Sequence, residues 1–352
     1  MVLATATNSM RRLLGRAFAI CLIFAPSCVP ALSSPLPSQR SDGQVAQAVA
    51  RRMLKLYMTS GRTTPYVAEQ VTQTFGQDGQ RSRQIVKHGG PRRHRIEYLE
   101  PAEIRGQVLL VAGNRALHYF PLPEPRIVEQ DMLSMSEDEA QGLLGDVRTG
   151  RIKATSIGSQ LIAGRMAQIV EIRPVGDAPF KRLWIDSQTG VRLKQESVGL
   201  DGSVLALSVF TRIDYHPSFH GNEFAPSSFP AAARVGRITS TPPLPNLAEA
   251  EKHAGFAIKT PDLPRRFSQA GVWVSGTGRN RQVVLRYTDG VGTLVLGQRL
   301  VPNQQRLGAK PLRPLLRQSR RGVVVWTSGD RVYVLIGSVA PALLNRIVNS
   351  LR

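Results

Sequence analysis

The sequence predicts an α+β protein built from two antiparallel sheets, and three observations support this fold class. Short segments that alternate apolar and polar residues recur at roughly ten-residue spacing, with turn residues between them. An amphipathic helix precedes the first of these segments. A stretch rich in Pro, Ser and Ala, residues 216–245, divides the strands into two blocks. The length of 352 residues agrees with about two domains of roughly 150 residues each.

The helix is predicted over residues 43–60. Apolar side chains recur at helical spacing and predict its buried face: Val45, Val49, Met53, Leu56 and Tyr57. Polar side chains occupy the opposite side: Gln44, Gln47, Arg51 and Lys55. Gly61 follows as a C-terminal stop, because glycine readily adopts the left-handed conformation that ends many helices.

The first block of strands is predicted as an antiparallel meander interrupted by one helical break. Its strands cover residues 66–75, 80–87, 93–99, 106–111, 115–120, 153–157, 165–173, 181–186, 192–198 and 204–215. The break begins at Ser136, which forms a capping box with Glu139, because each side chain reaches a free backbone N–H of the other residue.

The second block carries a helix at each end. A short helix over residues 246–253 precedes strands at 256–259, 271–275, 282–287, 293–300, 322–328 and 331–336. A last helix runs over residues 341–351, where Pro341 suits the first helical position. The predicted organisation is a signal peptide (1–31), a linker (32–42), an N-terminal domain (43–216), a second linker (217–245) and a C-terminal domain (246–352).

The first thirty-one residues have the pattern of a secretory signal peptide. Three arginines precede a short apolar run at residues 17–24, and Val29-Pro30-Ala31 fits a cleavage site. The apolar run is far shorter than the roughly 18 residues that span a bilayer. Two variants stay open: lipidation at Cys28, and a twin-arginine signal at Arg11-Arg12. Cleavage near Ala31 would export a chain without cysteine, which suits an oxidising compartment.

The charge balance is strongly basic, with 46 Lys and Arg against 25 Asp and Glu and a net charge of +21. Removal of the signal peptide takes away three arginines and leaves +18. Such a balance usually indicates an anionic partner, but export argues against nucleic acid. Only 8 of the 46 cations are Lys, so a compositional bias toward Arg is an alternative explanation.

Motifs for catalysis or metal binding are absent from the sequence. It contains neither the nucleophile elbow of serine hydrolases nor a phosphate-binding loop that ends in Lys-Ser or Lys-Thr. His216 and His220 are four residues apart, but Pro217 argues against a helical metal pair. Gly276-Thr277-Gly278 fits a hairpin turn. We therefore expect a protein that is not an enzyme and has no cofactor.

Two basic clusters are candidates for docking an anionic partner. Their candidate residues are Arg81, Arg83, Arg93 and Arg95 in the first cluster and Arg313, Arg317, Arg320 and Arg321 in the second. The alternative interpretation is that these side chains form solvated strand faces and loops.

Three short motifs resemble patterns of a known family. Lys181-Arg-Leu-Trp-Ile-Asp-Ser-Gln-Thr-Gly190-Val-Arg-Leu-Lys194 is similar to a strand–turn–strand signature of lipoprotein-carrier-like sheets. The turn Tyr287-Thr-Asp-Gly-Val291 and the segment Gly322-Val-Val-Val-Trp-Thr-Ser-Gly-Asp-Arg-Val-Tyr-Val-Leu-Ile-Gly337, which a helix follows, complete the set. The turn resembles the Tyr-Ser-Asp-Gly-Leu turn between two strands of the MucB/RseB family, and the last segment resembles that family's closing pattern. Each Asp-Gly or Gly-Asp pair also fits an ordinary hairpin turn, so the motifs indicate a fold and no site.

The resemblance implies an architecture and a function. The expected N-terminal domain is a half-open antiparallel β-barrel wrapped around a helix, similar to the lipoprotein carriers, followed by a smaller antiparallel sheet domain with a terminal helix. The implied protein is a periplasmic regulator that binds the periplasmic part of a membrane-bound anti-sigma factor and senses lipid or lipopolysaccharide. Alternatives are a periplasmic lipid or lipoprotein carrier and a cell-envelope binding protein.

A half-open barrel would leave an apolar cavity suited to acyl chains. Candidate cavity residues are apolar strand positions: Val67, Val71, Phe75, Val108, Leu110 and Trp184. The alternative for all six is ordinary core packing.

Overall fold

The computed structural model describes residues 43–76, 79–131, 143–176, 179–238, 243–301, 317–319, 323–337 and 341–351. Several predictions therefore lie outside the described residues. They are the signal peptide, the first linker, the capping box at Ser136, and the candidate docking residues Arg313, Arg320 and Arg321.

Twelve strands form the larger sheet, in the order β12-β6-β5-β4-β3-β2-β1-β11-β10-β9-β8-β7. Its strands are β1 (Tyr66–Thr74), β2 (Arg81–His88), β3 (Arg93–Glu100), β4 (Val108–Ala112), β5 (Arg115–Phe120), β6 (Arg126–Asp131), β7 (Ile152–Ile162), β8 (Arg165–Pro174), β9 (Phe180–Asp186), β10 (Arg192–Val198), β11 (Val204–Asp214) and β12 (Arg234–Ile238). All neighbours are antiparallel except β12 and β6. Because β7 and β12 form the two ends of this order, the sheet is open, as predicted.

Six strands form the smaller sheet, in the order β13-β14-β15-β18-β17-β16. They are β13 (Ser268–Ser275), β14 (Gln282–Thr288), β15 (Thr293–Leu300), β16 (Arg317–Ser319), β17 (Val323–Ser328) and β18 (Arg331–Ile336). Helices α2 (Leu247–Ala254) and α3 (Pro341–Ser350) contribute Ala250, Ile347 and Val348 to the core of this unit. Asn246 caps α2 by accepting a hydrogen bond from the backbone N–H of Glu249. The predicted α+β class is confirmed.

Helix α1 (Gly43–Met58) packs on β7, β8 and β9 of the larger sheet. Its buried side chains are Ala46, Ala50, Met53 and Leu54. The predicted helix is therefore confirmed, but the predicted face is partly wrong, because Val45 is 57% exposed. Small alanine side chains allow the helix to approach the sheet closely, which the apolar pattern alone did not reveal.

Residues 219–233 cover another part of the larger sheet. Phe224, Phe229 and Ala233 pack with Val108 and Leu110 of β4 in one buried cluster. β12 follows and pairs with β6, so this part of the predicted linker is a strand and a packed segment. The sequence pattern of residues 217–245 predicts a surface linker. It contains no sign of these contacts, because they join residues more than a hundred positions apart. The predicted domain boundaries stay a prediction.

Most predicted strands agree with the structure to within one or two residues, but six differences stand out. β6, β12 and β16 were not predicted. β7 ends at Ile162, beyond its predicted end at 157, and β13 begins at Ser268, before its predicted start at 271. The strand predicted at 256–259 is wrong, because this segment is held in a different way: the side chain of Gln298 bonds both the N–H and the C=O of Lys259. In β12 and at Lys259, a partner distant in sequence decides the local conformation.

Candidate functional site

The two faces of the larger sheet have different surroundings. Val170 and Leu183 are register partners that pack with Met53 and Leu54 of α1, and this side is called the helix face. Trp184 follows Leu183 in the same strand, so its side chain lies on the opposite side, called the outer face. The face on which each candidate residue lies follows from its register partners.

The register places the apolar cavity candidates Val67, Val108 and Leu110 on one face. Val67 pairs with Lys87, Lys87 pairs with Arg95, and Arg95 pairs with Leu110. Val108 is two residues from Leu110 in β4 and lies on the same side. Leu110 packs with residues 219–233, which identifies this side as one covered by that segment.

Val71 lies on the same face as Trp184. Val71 pairs with Val209, Val209 with Lys194, and Lys194 with Trp184. The Lys194 ammonium lies 4.0 Å from the centroid of the Trp184 ring, and the Trp184 indole N–H donates to Gln160 at 2.7 Å. Because Val67 and Val71 share one side of β1, five of the six cavity candidates lie on the outer face. Phe75 follows β1 and is half-buried.

The structure does not bring the six candidates together in one group. Val108 and Leu110 belong to the cluster with Phe224 and Phe229, whereas Trp184 belongs to a different cluster with Ile169 and other residues. Among the described residues, α1 contacts the opposite face. The proposed role of these residues in lipid binding is untested.

The helix face carries a hydrogen-bonded polar network on β1, β2 and β11. The Gln70 amide donates to Ser208 Oγ at 2.8 Å, and the Gln84 amide donates to Gln70 Oε1 at 2.6 Å. Ser82 Oγ donates to Gln84 Oε1 at 3.1 Å. Gln84 is buried, so these bonds satisfy groups that would be costly to bury alone. The sequence signal was the alternation of Gln70 and Thr72 with apolar residues in β1.

Histidines form an aromatic row on the same face. The rings of Tyr66 and His88 stack 5.0 Å apart, and those of His88 and His94 lie 4.3 Å apart. His88 Nδ1 donates to the Thr64 carbonyl at 2.8 Å. Burial lowers the pKa of His94 to about 3, with the nearby charges of His88 and Arg62 acting in the same direction. These histidines are therefore neutral at ordinary pH.

The first basic cluster binds residues of this chain. Arg83 donates to Glu100 at 2.9 Å, and Arg95 donates to Glu97 at 2.6 Å and to Ser228 Oγ at 2.8 Å. The cation of Arg93 lies over the Phe224 ring at 4.9 Å from its centroid. Three of the four candidates thus have internal contacts, and two of them hold the segment 219–233 in place.

Arg81 differs from the rest of that cluster because its side chain is exposed at the start of β2. In the second cluster, Arg317 lies in β16, whose backbone pairs with Val325. The other three members lie outside the described residues. Neither cluster is tested as a docking site.

The motif around Asp186 anchors the C-terminal end of α1. Asp186 accepts hydrogen bonds from Arg165 and Tyr215, both at 2.9 Å, and from the backbone N–H groups of its own turn. Burial opposes the charged carboxylate, but Arg165 and the other donors hold the pKa of Asp186 below its usual value. A Cβ on Gly190 would lie 2.6 Å from the Leu56 carbonyl oxygen, so glycine permits this close approach.

The second family-like motif joins the two sheets. In the β14–β15 turn, Asp289 accepts hydrogen bonds from the N–H groups of Val291 and Gly292 at 3.0 and 2.7 Å. Val291 is buried in the same cluster as Leu54 of α1 and Ile152 of β7. A sequence motif that indicates only a hairpin turn therefore supplies a contact between the two units.

Comparison with known proteins supports the family resemblance at two levels. The model of the MucB/RseB N-terminal domain matches residues 150–231. A chain of the Pseudomonas aeruginosa MucA/MucB complex is 16% identical in sequence and matches with a TM-score of 0.57. The match covers 85% of this chain and 96% of that chain. The resemblance to the MucB/RseB family is confirmed. The matched residues 150–231 contain β7 to β11, the Asp186 turn and most of the segment that covers the outer face.

Two further structures show the same fold. MucB in complex with MucA(peri) is 17% identical, with a TM-score of 0.57 over 86% of this chain and 98% of that chain. MucB alone is 16% identical, with a TM-score of 0.51 over 86% of this chain and 97% of that chain. No curated protein sequence matches the chain.

The ranges that the structure covers contain no group of three or more His, Cys, Asp or Glu side chains that could hold a metal ion. Within the same ranges, no helix is long and apolar enough to cross a membrane.

Proposed function

We propose that this protein is a non-catalytic periplasmic regulator that binds the periplasmic part of a membrane-bound anti-sigma factor. The observation that carries the proposal is the likeness of fold to MucB in complex with MucA(peri), which covers 86% of this chain and 98% of that chain. A shared fold over nearly the full length of a protein that binds MucA(peri) supports the same kind of partner here.

The predicted signal peptide and the resemblance to the MucB/RseB family support a periplasmic location. Cleavage near Ala31 would leave a mature chain without cysteine and so without a disulfide, and three buried clusters on the larger sheet and one on the smaller form its apolar core. A regulator of this kind acts by binding its partner and needs no catalytic residues.

The direct test is binding of the purified mature chain to the periplasmic part of the anti-sigma factor encoded in the same genome. Isothermal titration calorimetry should give a saturable complex. A matched segment from an unrelated single-span membrane protein serves as the control. Absence of saturable binding to the anti-sigma segment would overturn the proposal.

Lipid sensing forms the second part of the proposal, and residues 219–233 give it a specific test. Phe224 and Phe229 cover Val108 and Leu110, so an acyl chain that contacts these two residues must displace the two rings. We expect Phe229→Ala to increase the amount of lipid that co-purifies with the protein, as measured by mass spectrometry. Val235→Ala, at a 63% exposed position of β12, is the matched control.

The same experiment separates the regulator from the lipid carrier. Lipid bound to the wild-type chain without any affinity for the anti-sigma segment would favour the carrier. If neither the wild type nor Phe229→Ala retains lipid, the predicted cavity role is wrong and the six candidates are ordinary core residues: Val67, Val71, Phe75, Val108, Leu110 and Trp184.

Electrostatic docking is the third part of the proposal and is assigned to the exposed Arg81 and to the cluster of Arg313, Arg317, Arg320 and Arg321. Binding that depends on these cations should weaken as the salt concentration rises, because a Debye length of about 8 Å at physiological ionic strength screens exposed charges. Affinity that does not change between low and high salt would assign the basic charge to composition.

A further inference from the structure

β7 forms one edge of the larger sheet. β8 pairs with one of its sides, and no strand within the described residues pairs with the other. Five consecutive residues, Ile157 to Leu161, are exposed. An edge strand presents unpaired backbone N–H and C=O groups, which an extended peptide can use to add a strand.

Two hydrogen bonds show which backbone groups of β7 point outward. The backbone carbonyl of Met166 in β8 accepts a hydrogen bond from the N–H of Ser187, on the side away from β7. Its register partner Leu161 is therefore a non-hydrogen-bonded position whose N–H and C=O face out, and so is Ser159, two residues earlier. Gln160 lies between them and faces β8.

The first half of β7 has outward groups as well. Arg151 accepts the N–H of Val175, and Pro174 has no N–H to donate to its partner Ile152. The alternation therefore turns Ile152 and Ala154 outward. A bulge between Ser156 and Gly158, where Gly158 has a φ of +135°, separates this half from the exposed half.

Side chains next to the exposed half favour an extended segment with some apolar residues. Leu161 is 62% exposed and Met166, its register partner, is 53% exposed, so both lie beside the edge on one face of the hairpin. Residues 157–161 contain neither a proline nor a charged residue, the two devices that commonly protect an edge.

The charge near the start of β7 favours an acidic occupant. Residues 143–176 hold five cations and two acids. Three of the cations are paired with acids: Arg151 with Asp146, Arg165 with Asp186 and Arg173 with Glu171. Arg148 and Lys153 are exposed near the start of the edge, so the net field there is positive.

We propose that the outer edge of β7 binds an extended, acidic segment of the anti-sigma partner as an added β-strand. This inference rests on the proposed function and names the mode of binding. The partner's backbone bonds the outward groups of Ser159 and Leu161. Its carboxylates lie toward Arg148 and Lys153, and its apolar side chains contact Leu161 and Met166.

The test compares Ser159→Pro with Ser159→Ala in the full mature chain, with the periplasmic part of the same genome's anti-sigma factor as the probe. Proline removes one outward N–H and leaves the β7–β8 ladder intact, whereas alanine keeps the N–H. We expect Ser159→Pro to weaken binding about fivefold to tenfold, since one hydrogen bond contributes about 1 kcal/mol and the ring blocks approach. Ser159→Ala should bind like the wild type.

A charge variant keeps the test valid if the proline variant does not fold. Lys153→Glu lies at an exposed position and should weaken binding and reduce its dependence on salt. Wild-type binding that both Ser159→Pro and Lys153→Glu leave unchanged overturns the β7 assignment and leaves the proposed function standing. Absence of binding by the wild type overturns both. A wild-type dimer that Ser159→Pro dissociates, with partner binding unchanged, would assign the edge to a second copy of this chain.

Discussion

The two covers of the larger sheet are built in different ways. Over β7 to β9 the cover is α1, a regular helix whose buried face is apolar. Over β4 to β6 the cover is the irregular segment 219–233, which combines two phenylalanine rings with an ion pair from Lys87 of the sheet to Glu223. Helix α1 satisfies its own backbone groups with regular bonds. The segment 219–233 forms separate turns instead, such as the bond from the Phe229 N–H to the Pro226 carbonyl, and Arg95 of the sheet donates to its Glu223 carbonyl. This difference predicts different responses to mutation, pH and salt.

Truncation in the helix cover should have the largest effect. Leu54 is fully buried between α1 and the sheet. Leu54→Ala should lower the free energy of unfolding by about 2–5 kcal/mol, because it removes transfer energy and leaves a cavity. Urea denaturation measures the change. Val45→Ala, on the exposed side of the same helix, should stay within about 0.5 kcal/mol. Equal losses for the two variants would contradict the observed helix face.

The anchor at the end of α1 should come next. Gly190 has a φ of +78°, and a Cβ there meets the Leu56 carbonyl. Gly190→Ala should cost about 2 kcal/mol or more, which is the penalty of left-handed backbone with the added contact. Gly202 has a φ of +81° and open space around it, so Gly202→Ala shows the backbone penalty alone. If thermal unfolding shows no difference between these variants, the close approach is unimportant.

Acid should destabilise the helix face through its histidines. Burial lowers the pKa of His94 to about 3 and that of His118 to about 4, so the unfolded chain binds more protons below its own pKa of about 6.5. The contribution of these neutral histidines to the free energy of unfolding is therefore fully present above a pH of about 6.5. It declines by about 1 kcal/mol per pH unit for each histidine as the pH falls toward its pKa in the folded protein. Urea midpoints between pH 7 and 5 test this slope.

A matched pair of variants assigns that slope to particular histidines. His94→Gln should reduce the dependence on pH, because the variant has one fewer group that must stay neutral. His118→Gln, at the other buried histidine whose pKa is lowered, should reduce this dependence as well. A slope that neither variant changes would mean that other groups carry the acid sensitivity.

The ion pairs of the irregular cover should give the smallest effect. Glu223 is partly buried and accepts a hydrogen bond from Lys87. Glu223→Gln should cost about 1 kcal/mol and should speed amide exchange in residues 219–233, measured by hydrogen–deuterium exchange. Glu100→Gln removes a more exposed pair with Arg83 and should cost a few tenths of a kcal/mol. Exchange that speeds equally in both variants would argue against a local role for Glu223.

The sequence predicted elements better than it predicted surfaces. Turn residues and alternation placed most strands, and β15 and β18 agree at both ends. β6 was missed because three prolines lie just before it, and β12 because its short sequence pairs only with a strand a hundred residues away. The β7 edge has no signature of its own, since an edge is defined by the absence of a neighbour.

By itself, the sequence determined the α+β class, the two blocks of strands, α1 and the family resemblance, because periodicity and turn chemistry are local properties. Only the tertiary structure decided which residues share a face. It placed Val67 and Trp184 on the side away from α1, and it paired Arg83 and Arg95 with acids of the same chain. Long-range register and burial decide these matters, and no local pattern of residues contains them.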